Sequence, residues 1–89
     1  MIEKDIQVIN QLGLHARASA KLVQLVCGYR SEVMMAAKGR DINAKSIMGV
    51  LMLAAGVGTV VRVRVDGPDE VACMSAIEDL FNRYFDEGS

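Results

Sequence analysis

The sequence predicts an α+β fold, an open-faced two-layer β-sandwich in which three helices cover one face of a four-stranded antiparallel sheet. Segments with alternating apolar residues are interleaved with segments of helical periodicity, in the order β-α-β-β-α-β-α. Alternation gives each strand one apolar and one polar face, which is typical of an antiparallel sheet covered on one side only. The chain has 89 residues, which is enough for one domain, so we expect a single domain over residues 1–89.

The first two elements are a strand and a helix. Apolar residues alternate with polar ones over residues 2–9, and residues 10–13 interrupt the pattern. From Ala16 to Cys27 the period becomes helical, with a polar stripe formed by Arg17, Lys21 and Gln24. Gly28 stands where a C-terminal glycine would end this helix.

A β-hairpin follows the helix. Residues 32–37 alternate again, with Val33, Met35 and Ala37 on one side. Lys38-Gly39 predicts a tight turn, and residues 40–43 a short return strand.

The second half of the chain supplies a short helix, a strand and a final helix. Ser46 is a candidate N-cap for a helix that runs to about Leu53. The clearest strand alternates Val61, Val63 and Val65 with charged residues. It ends at Gly67-Pro68-Asp69, where Asp69 offers a further N-cap. The buried face of the last helix is then predicted to contain Cys73, Ile77, Leu80, Phe81 and Tyr84.

The composition argues against nucleic acid and membrane partners. Hydrophobic residues make up 52% of the chain, which supports a packed core, but aromatic residues are only 4% and there is no Trp. A base-stacking platform, which needs exposed aromatic rings, is therefore not expected. Ten basic residues balance eleven acidic ones, so the net charge of −1 gives no overall attraction for nucleic acid or an anionic membrane.

The cysteines and the absence of a targeting signal predict a cytoplasmic protein. Cys27 and Cys73 lie in apolar helical contexts without metal-binding spacing, so we expect two buried, reduced thiols and no metal site. The N-terminus has no export signal. The longest uncharged stretch, residues 46–61, contains three glycines and is shorter than the roughly 20 residues of a membrane helix.

The segment Gly13-Leu14-His15-Ala16-Arg17 is the candidate functional site. It places a histidine at the first turn of a helix, where unpaired backbone N–H groups and a partial positive charge favour an anion. Arg17 adds a guanidinium suited to phosphate oxygens. The positive field disfavours the imidazolium, which leaves a ring nitrogen free as a nucleophile. The alternative is an ordinary surface or capping histidine.

Two motifs stand out, Gly13-Leu-His-Ala-Arg-Ala-Ser-Ala20 and Lys45-Ser-Ile-Met-Gly-Val50. Together they resemble the HPr family, the histidine-containing phosphocarrier proteins of the bacterial phosphoenolpyruvate-dependent sugar phosphotransferase system. The resemblance implies that His15 accepts a phosphoryl group on Nδ1 from enzyme I and passes it to an EIIA domain. It also implies that Arg17 stabilises the phosphoryl charge and that the N–H groups of Ala16 and Arg17 bind the phosphate. Such a protein is a carrier, not an enzyme, and needs no cofactor.

The resemblance also gives Ser46 and the short helix a role. In many members this serine is phosphorylated by HPr kinase/phosphorylase, although an N-cap alone would explain a serine there. We expect partners to dock on Ile47, Met48 and Leu51, with one or two of these in the core, and Arg17, Lys21 and Lys45 to surround that patch with positive charge. We expect a monomer.

Two residues depart from the family pattern. Ala18 stands where proline is usual, which leaves the first turn of the helix less restricted. Leu12 stands where a small polar residue often orients the histidine. Three alternatives remain: a phosphocarrier of the nitrogen branch, a regulatory HPr-like module that acts through Ser46, and a small-molecule-binding domain that uses the glycine-rich loop 54–59.

Overall fold

The computed structural model describes residues 1–88 and contains the predicted elements in the predicted order. Its strands and helices, with one 3₁₀ turn at the end, are β1 (Ile2–Gln7), α1 (Ala16–Cys27), β2 (Glu32–Ala37), β3 (Arg40–Asn43), α2 (Ile47–Met52), β4 (Val60–Asp66), α3 (Glu70–Asn82) and the turn Tyr84–Asp86.

The four strands form one antiparallel sheet in the order β1-β4-β2-β3. β4 lies in the centre, where Val65 pairs with Ile2 of β1 and with Val33 of β2. This register places the alternating valines of β4 and the apolar residues of β2 on the same face. The predicted open-faced sandwich is therefore confirmed.

The core lies between that face of the sheet and the helices. The sheet contributes Val33, Met35, Ala37, Val61, Val63 and Val65, and the helices contribute Ala18, Leu22, Val26, Val50, Cys73, Met74, Ile77, Leu80 and Phe81. Each fully buried Val, Leu or Phe side chain stabilises the fold by about 1.5–3 kcal/mol. This packed core therefore holds the N-termini of α1 and α2 in place.

One local prediction is wrong and two differ from the structure in detail. β1 ends at Gln7 because Val8 bonds instead to the loop before β4, with its N–H donating to Thr59 O at 2.8 Å. Gly28 ends α1 as predicted, although its φ of −79° is right-handed, so a glycine is not required there. Cys73 is buried as expected, whereas Cys27 is exposed, because it lies about 100° around the helix from the buried Val26.

The N-terminus of α3 ties two loops together. Asp69 is the N-cap residue by position, but its carboxylate makes no capping bond. It accepts hydrogen bonds at 2.9 Å from the backbone N–H groups of Arg30 and Ser31, and one from the Ser31 hydroxyl. The prediction of a side-chain cap is therefore wrong, and the residue fixes the connection between α1 and β2 instead.

The chain turns sharply after α3. Tyr84, Phe85 and Asp86 all have left-handed backbone angles, with φ of 58°, 53° and 62°. Such angles cost a non-glycine residue roughly 1–2 kcal/mol each. Tyr84, predicted on the buried face, is exposed, and Phe85 is buried instead, with its ring centroid 4.8 Å from that of Phe81. The turn directs the following residues back toward the start of α1.

Candidate functional site

The site is built around His15, which is the N-cap residue of α1. The preceding loop has little freedom because Gly13 has a φ of +67° and is packed against the loop before β4. A Cβ at Gly13 would lie 2.6 Å from the carbonyl oxygen of Ala55, and Leu14 N–H donates to the same oxygen at 2.9 Å. The loop 54–59 therefore supports the histidine loop.

The two ring nitrogens of His15 have partners of opposite character. Nδ1 accepts a hydrogen bond from the backbone N–H of Arg17 at 3.1 Å, and Nε2 contacts the carboxylate of Glu87. An ionised carboxylate only accepts hydrogen bonds, so the proton of the neutral ring lies on Nε2 and the lone pair on Nδ1. The nitrogen that faces the helix N-terminus is thus the nucleophilic one, and the side chain is 29% exposed.

Glu87 is a site residue that the sequence analysis missed. Its other carboxylate oxygen accepts a hydrogen bond from Asn10 Nδ2 at 3.0 Å, and Asn10 also donates to Gly13 O at 2.8 Å. Burial raises the pKa of Glu87, but the hydrogen bonds from Asn10 and His15 and the charge of Arg17 outweigh it and lower the pKa below its ordinary value. The carboxylate is therefore ionised at neutral pH.

Ala16 and Arg17 are the first two residues of α1, and both are exposed. Their backbone N–H groups lie among the first four of the helix, which have no intrahelical acceptor. Within residues 1–88 no carboxylate forms an ion pair with the Arg17 guanidinium. The Ala16 N–H and this cation are available to an anion at Nδ1, and the Arg17 N–H, which donates to Nδ1, becomes available once that lone pair is bonded to the anion.

Ser46 is the N-cap of α2, as predicted: it is exposed, and its hydroxyl accepts a hydrogen bond from Gly49 N–H at 3.2 Å. The expectation that one or two of Ile47, Met48 and Leu51 belong to the core is wrong, because all three are exposed, Met48 by 65%. Val50 alone fixes α2 to the core. The short helix therefore presents a continuous apolar surface.

The side-chain amines of Lys21 and Lys45 are less available to a partner than predicted. Lys21 Nζ donates to the carbonyl of Phe85 at 2.9 Å and lies 3.6 Å from the Asp86 carboxylate. Lys45 Nζ donates to the carbonyl of Tyr29 at 2.9 Å. Both amines thus bind carbonyls of their own chain, and Arg17 is the more available cation.

The two departures from the family pattern have different consequences. Ala18 is fully buried under the first turn of α1. Leu12 is 69% exposed and has no polar group to offer His15. Glu87 and Asn10 supply the polar contacts instead. No sequence motif pointed to Glu87, since it lies 72 residues from His15 and follows an irregular turn.

In the part of the chain that the structure describes, no helix has the length and apolar character needed to cross a membrane. The same residues contain no group of three or more His, Cys, Asp or Glu side chains that could hold a metal ion.

Comparisons with known proteins identify the family of the chain. A protein-family model described as "PTS HPr component phosphorylation site" matches residues 2–83. The Phosphocarrier protein HPr of Xylella fastidiosa (strain Temecula1 / ATCC 700964) is 54% identical over 87 residues, covering 98% of each chain. The structure of HPr-C-His from Thermoanaerobacter tengcongensis matches with a TM-score of 0.94 at 37% identity, again over 98% of each chain. A second structure from that organism, described as an HPr dimer, matches with a TM-score of 0.76 at 36% identity, over 96% of this chain and 98% of the other. The chain belongs to the HPr family, the phosphocarrier proteins of the phosphotransferase system.

Proposed function

We propose that Nδ1 of His15 accepts a phosphoryl group from phosphorylated enzyme I and transfers it to an EIIA domain. The observation that carries the proposal is the orientation of the ring, in which the Nδ1 lone pair faces the backbone N–H of Arg17 at the N-terminus of α1. A phosphoryl group bound there meets a positive helix end and the N–H donors of the first helical turn. The ring is exposed enough for two partners to reach it in turn.

Ala16 and Arg17 stabilise the transferred group in this proposal. The N–H groups of the two residues bind phosphate oxygens, and the Arg17 guanidinium neutralises the charge that spreads over the equatorial oxygens during transfer. The protein contributes position and charge, while the partner supplies the rest of the active site. The chain is thus a carrier that relays the group and not an enzyme by itself.

Partners dock, we propose, on the apolar surface of α2 formed by Ile47, Met48 and Leu51. These exposed side chains lie on the helix that packs beside α1. Arg17 supplies a positive charge at the start of α1, and Lys21 and Lys45 contribute their charge while bound to backbone carbonyls. A cation beside an apolar patch favours an acidic partner and a transient contact.

Ser46 is the proposed regulatory site, modified by HPr kinase/phosphorylase. Its hydroxyl is exposed at a helix N-terminus, where a phosphate is electrostatically tolerated. The added negative charge would lie beside the docking surface and repel an acidic partner. The chain acts as a cytoplasmic monomer in this proposal; the nitrogen-branch carrier and the regulatory module acting through Ser46 are the alternatives.

Incubation with phosphoenolpyruvate and enzyme I tests the proposal. The protein should acquire one acid-labile, base-stable phosphate, and His15→Ala should acquire none. A regulatory module that does not use His15 would give no such phosphate on either protein. Equal labelling of the chain and of His15→Ala would contradict the assignment of His15.

A further inference from the structure

The C-terminal segment holds a carboxylate against the histidine from the side opposite the helix. The Glu87 side chain is only 8% exposed. Both carboxylate oxygens have partners, Asn10 Nδ2 on one and His15 Nε2 on the other. A glutamate side chain is ordinarily exposed to solvent unless it is paired.

The backbone that carries Glu87 is tied down at several points. Phe85 is buried against Phe81, its carbonyl accepts a hydrogen bond from Lys21, and Asp86 accepts one from Arg83 at 3.0 Å. Three successive non-glycine residues with positive φ persist only where the surroundings determine the conformation. The turn therefore places the Glu87 carboxylate at a defined position beside the ring.

We propose that Glu87 is the positioning residue of the phosphoryl-accepting histidine, keeping the proton on Nε2 before, during and after transfer. The inference rests on the proposed function of His15. A carboxylate that holds the second nitrogen of a reacting imidazole fixes both the tautomer and the ring orientation. Here it also takes the place of the polar contact that Leu12 lacks.

The charge balance of the transfer explains why a carboxylate is suited to this position. The bond between phosphorus and the donor atom breaks, and the donor keeps the electron pair, as the Nδ1 lone pair forms the new bond to phosphorus. Nε2 keeps its proton, so the neutral ring becomes a phosphorylated imidazolium whose positive charge faces Glu87. In the onward transfer the Nδ1–P bond breaks and a neutral imidazole leaves, which is far easier than the loss of an imidazolate.

The other charged groups near the ring do not share this geometry. Arg17 contacts Nδ1 through its backbone N–H, and its guanidinium, which acts on Glu87 by charge, forms no ion pair with that carboxylate within residues 1–88. Lys21 and Asp86 lie 3.6 Å apart and neutralise each other. Among residues 1–88, Glu87 is the carboxylate that pairs with His15. Removal of its charge should therefore change the ring in a way that removal of the Glu78 charge, which is paired with Lys4, does not.

Glu87→Gln tests the inference, because the amide keeps the shape and loses the charge. Glu78→Gln is the matched control, since it makes the same substitution at a glutamate that pairs with Lys4 instead of the ring. The ¹⁵N shifts of the His15 ring nitrogens show which nitrogen carries the proton, and rapid-quench assays with phosphorylated enzyme I follow the transfer. In Glu87→Gln the proton of the neutral ring should be shared between the two nitrogens, and the transfer rate at neutral pH should fall by at least about tenfold. Glu78→Gln should leave both unchanged.

The two readouts separate the possible failures. The ¹⁵N measurement needs no phosphorylation, so it tests the contact even if His15 proves not to accept the phosphoryl group. An unchanged tautomer in Glu87→Gln, or an equal change in Glu78→Gln, would overturn the inference. A changed tautomer with an unchanged transfer rate would overturn it as well, because the contact would then have no part in the reaction.

Discussion

At the residue scale, the two nitrogens of the His15 ring have different partners, and this difference determines which nitrogen is the nucleophile. Arg17 N–H holds the nitrogen that has a lone pair, and Glu87 holds the nitrogen that has the proton. Neither contact alone would specify both the tautomer and the ring orientation. Together they offer a neutral nucleophile at a positive helix end.

The guanidinium of Arg17 should matter for transfer and not for folding. Arg17→Ala removes an exposed cation from the first turn of α1, so phosphoryl transfer from enzyme I should slow by about 10²-fold. Arg17→Lys should restore only part of the rate, because the ammonium lacks the planar fork. Rapid-quench kinetics measures the effect, and Arg62→Ala, on the open face of the sheet, is the control. A rate within twofold of the unaltered chain would remove Arg17 from the mechanism.

Gly13 should be intolerant of any side chain. Alanine at this position needs a positive φ and brings its Cβ to 2.6 Å from the Ala55 carbonyl oxygen. We expect Gly13→Ala to lower the free energy of unfolding by more than about 1 kcal/mol. Gly56→Ala has open space around the added methyl and should change that free energy by less than about 0.5 kcal/mol. Urea denaturation measures both, and equal losses would show that the close approach is unimportant.

At the scale of elements, regular periodicity made most of the fold predictable. The alternation in β2 and β4, and the Ser46 cap of α2, coincide with the observed elements. The C-terminal turn was not predictable, because Tyr84 continues the helical spacing of α3 and three left-handed non-glycine residues have no local sequence signal. Half of the contacts of His15 were missed for the same reason, since Glu87 reaches the ring only through that turn.

The connection between α1 and β2 should be sensitive to acid through Asp69. Hydrogen bonds from the Ser31 hydroxyl and from backbone N–H groups of Arg30 and Ser31 lower the pKa of Asp69, with burial opposing them. A depressed folded-state pKa stabilises the fold above the unfolded pKa of about 4, and that contribution is lost as the pH falls through the folded value.

The difference in unfolding free energy between the chain and Asp69→Asn should therefore be largest at neutral pH and shrink below about pH 4. Denaturant titrations between pH 7 and pH 2 measure it. Asp5→Asn, which removes an exposed surface pair, should cost less than about 0.5 kcal/mol at neutral pH. A difference that stays constant down to the lowest pH would contradict the assigned contacts.

At the scale of the whole molecule, one sheet supports two helices. One carries the proposed phosphoryl-accepting site and the other carries the proposed docking surface. α1 supplies His15 and Arg17, and the adjacent α2 supplies Ser46 and the exposed apolar residues. The sequence predicted which residues these are. The exposure of the apolar residues of α2 could not be predicted. A helix of six residues is too short for its sequence to show which face packs against the neighbouring elements.

A negative charge at Ser46 should weaken partner binding without unfolding the domain. Ser46→Asp keeps an N-cap acceptor, so thermal stability should be retained. Its affinity for enzyme I should fall about tenfold at low ionic strength and less at high salt. Ser75→Asp adds the same charge on the exposed face of α3 and is the control. Calorimetric titration that gave equal affinities for the two variants would count against regulation through Ser46.

The central claim is that the contacts of the ring select Nδ1 of His15 as the phosphorylated atom. The most direct measurement is ¹⁵N and ³¹P NMR of the ¹⁵N-labelled protein during continuous phosphorylation by enzyme I and phosphoenolpyruvate. The account predicts a phosphorus coupling to Nδ1, with the proton retained on Nε2. Coupling to Nε2, the nitrogen that contacts Glu87, would contradict the account.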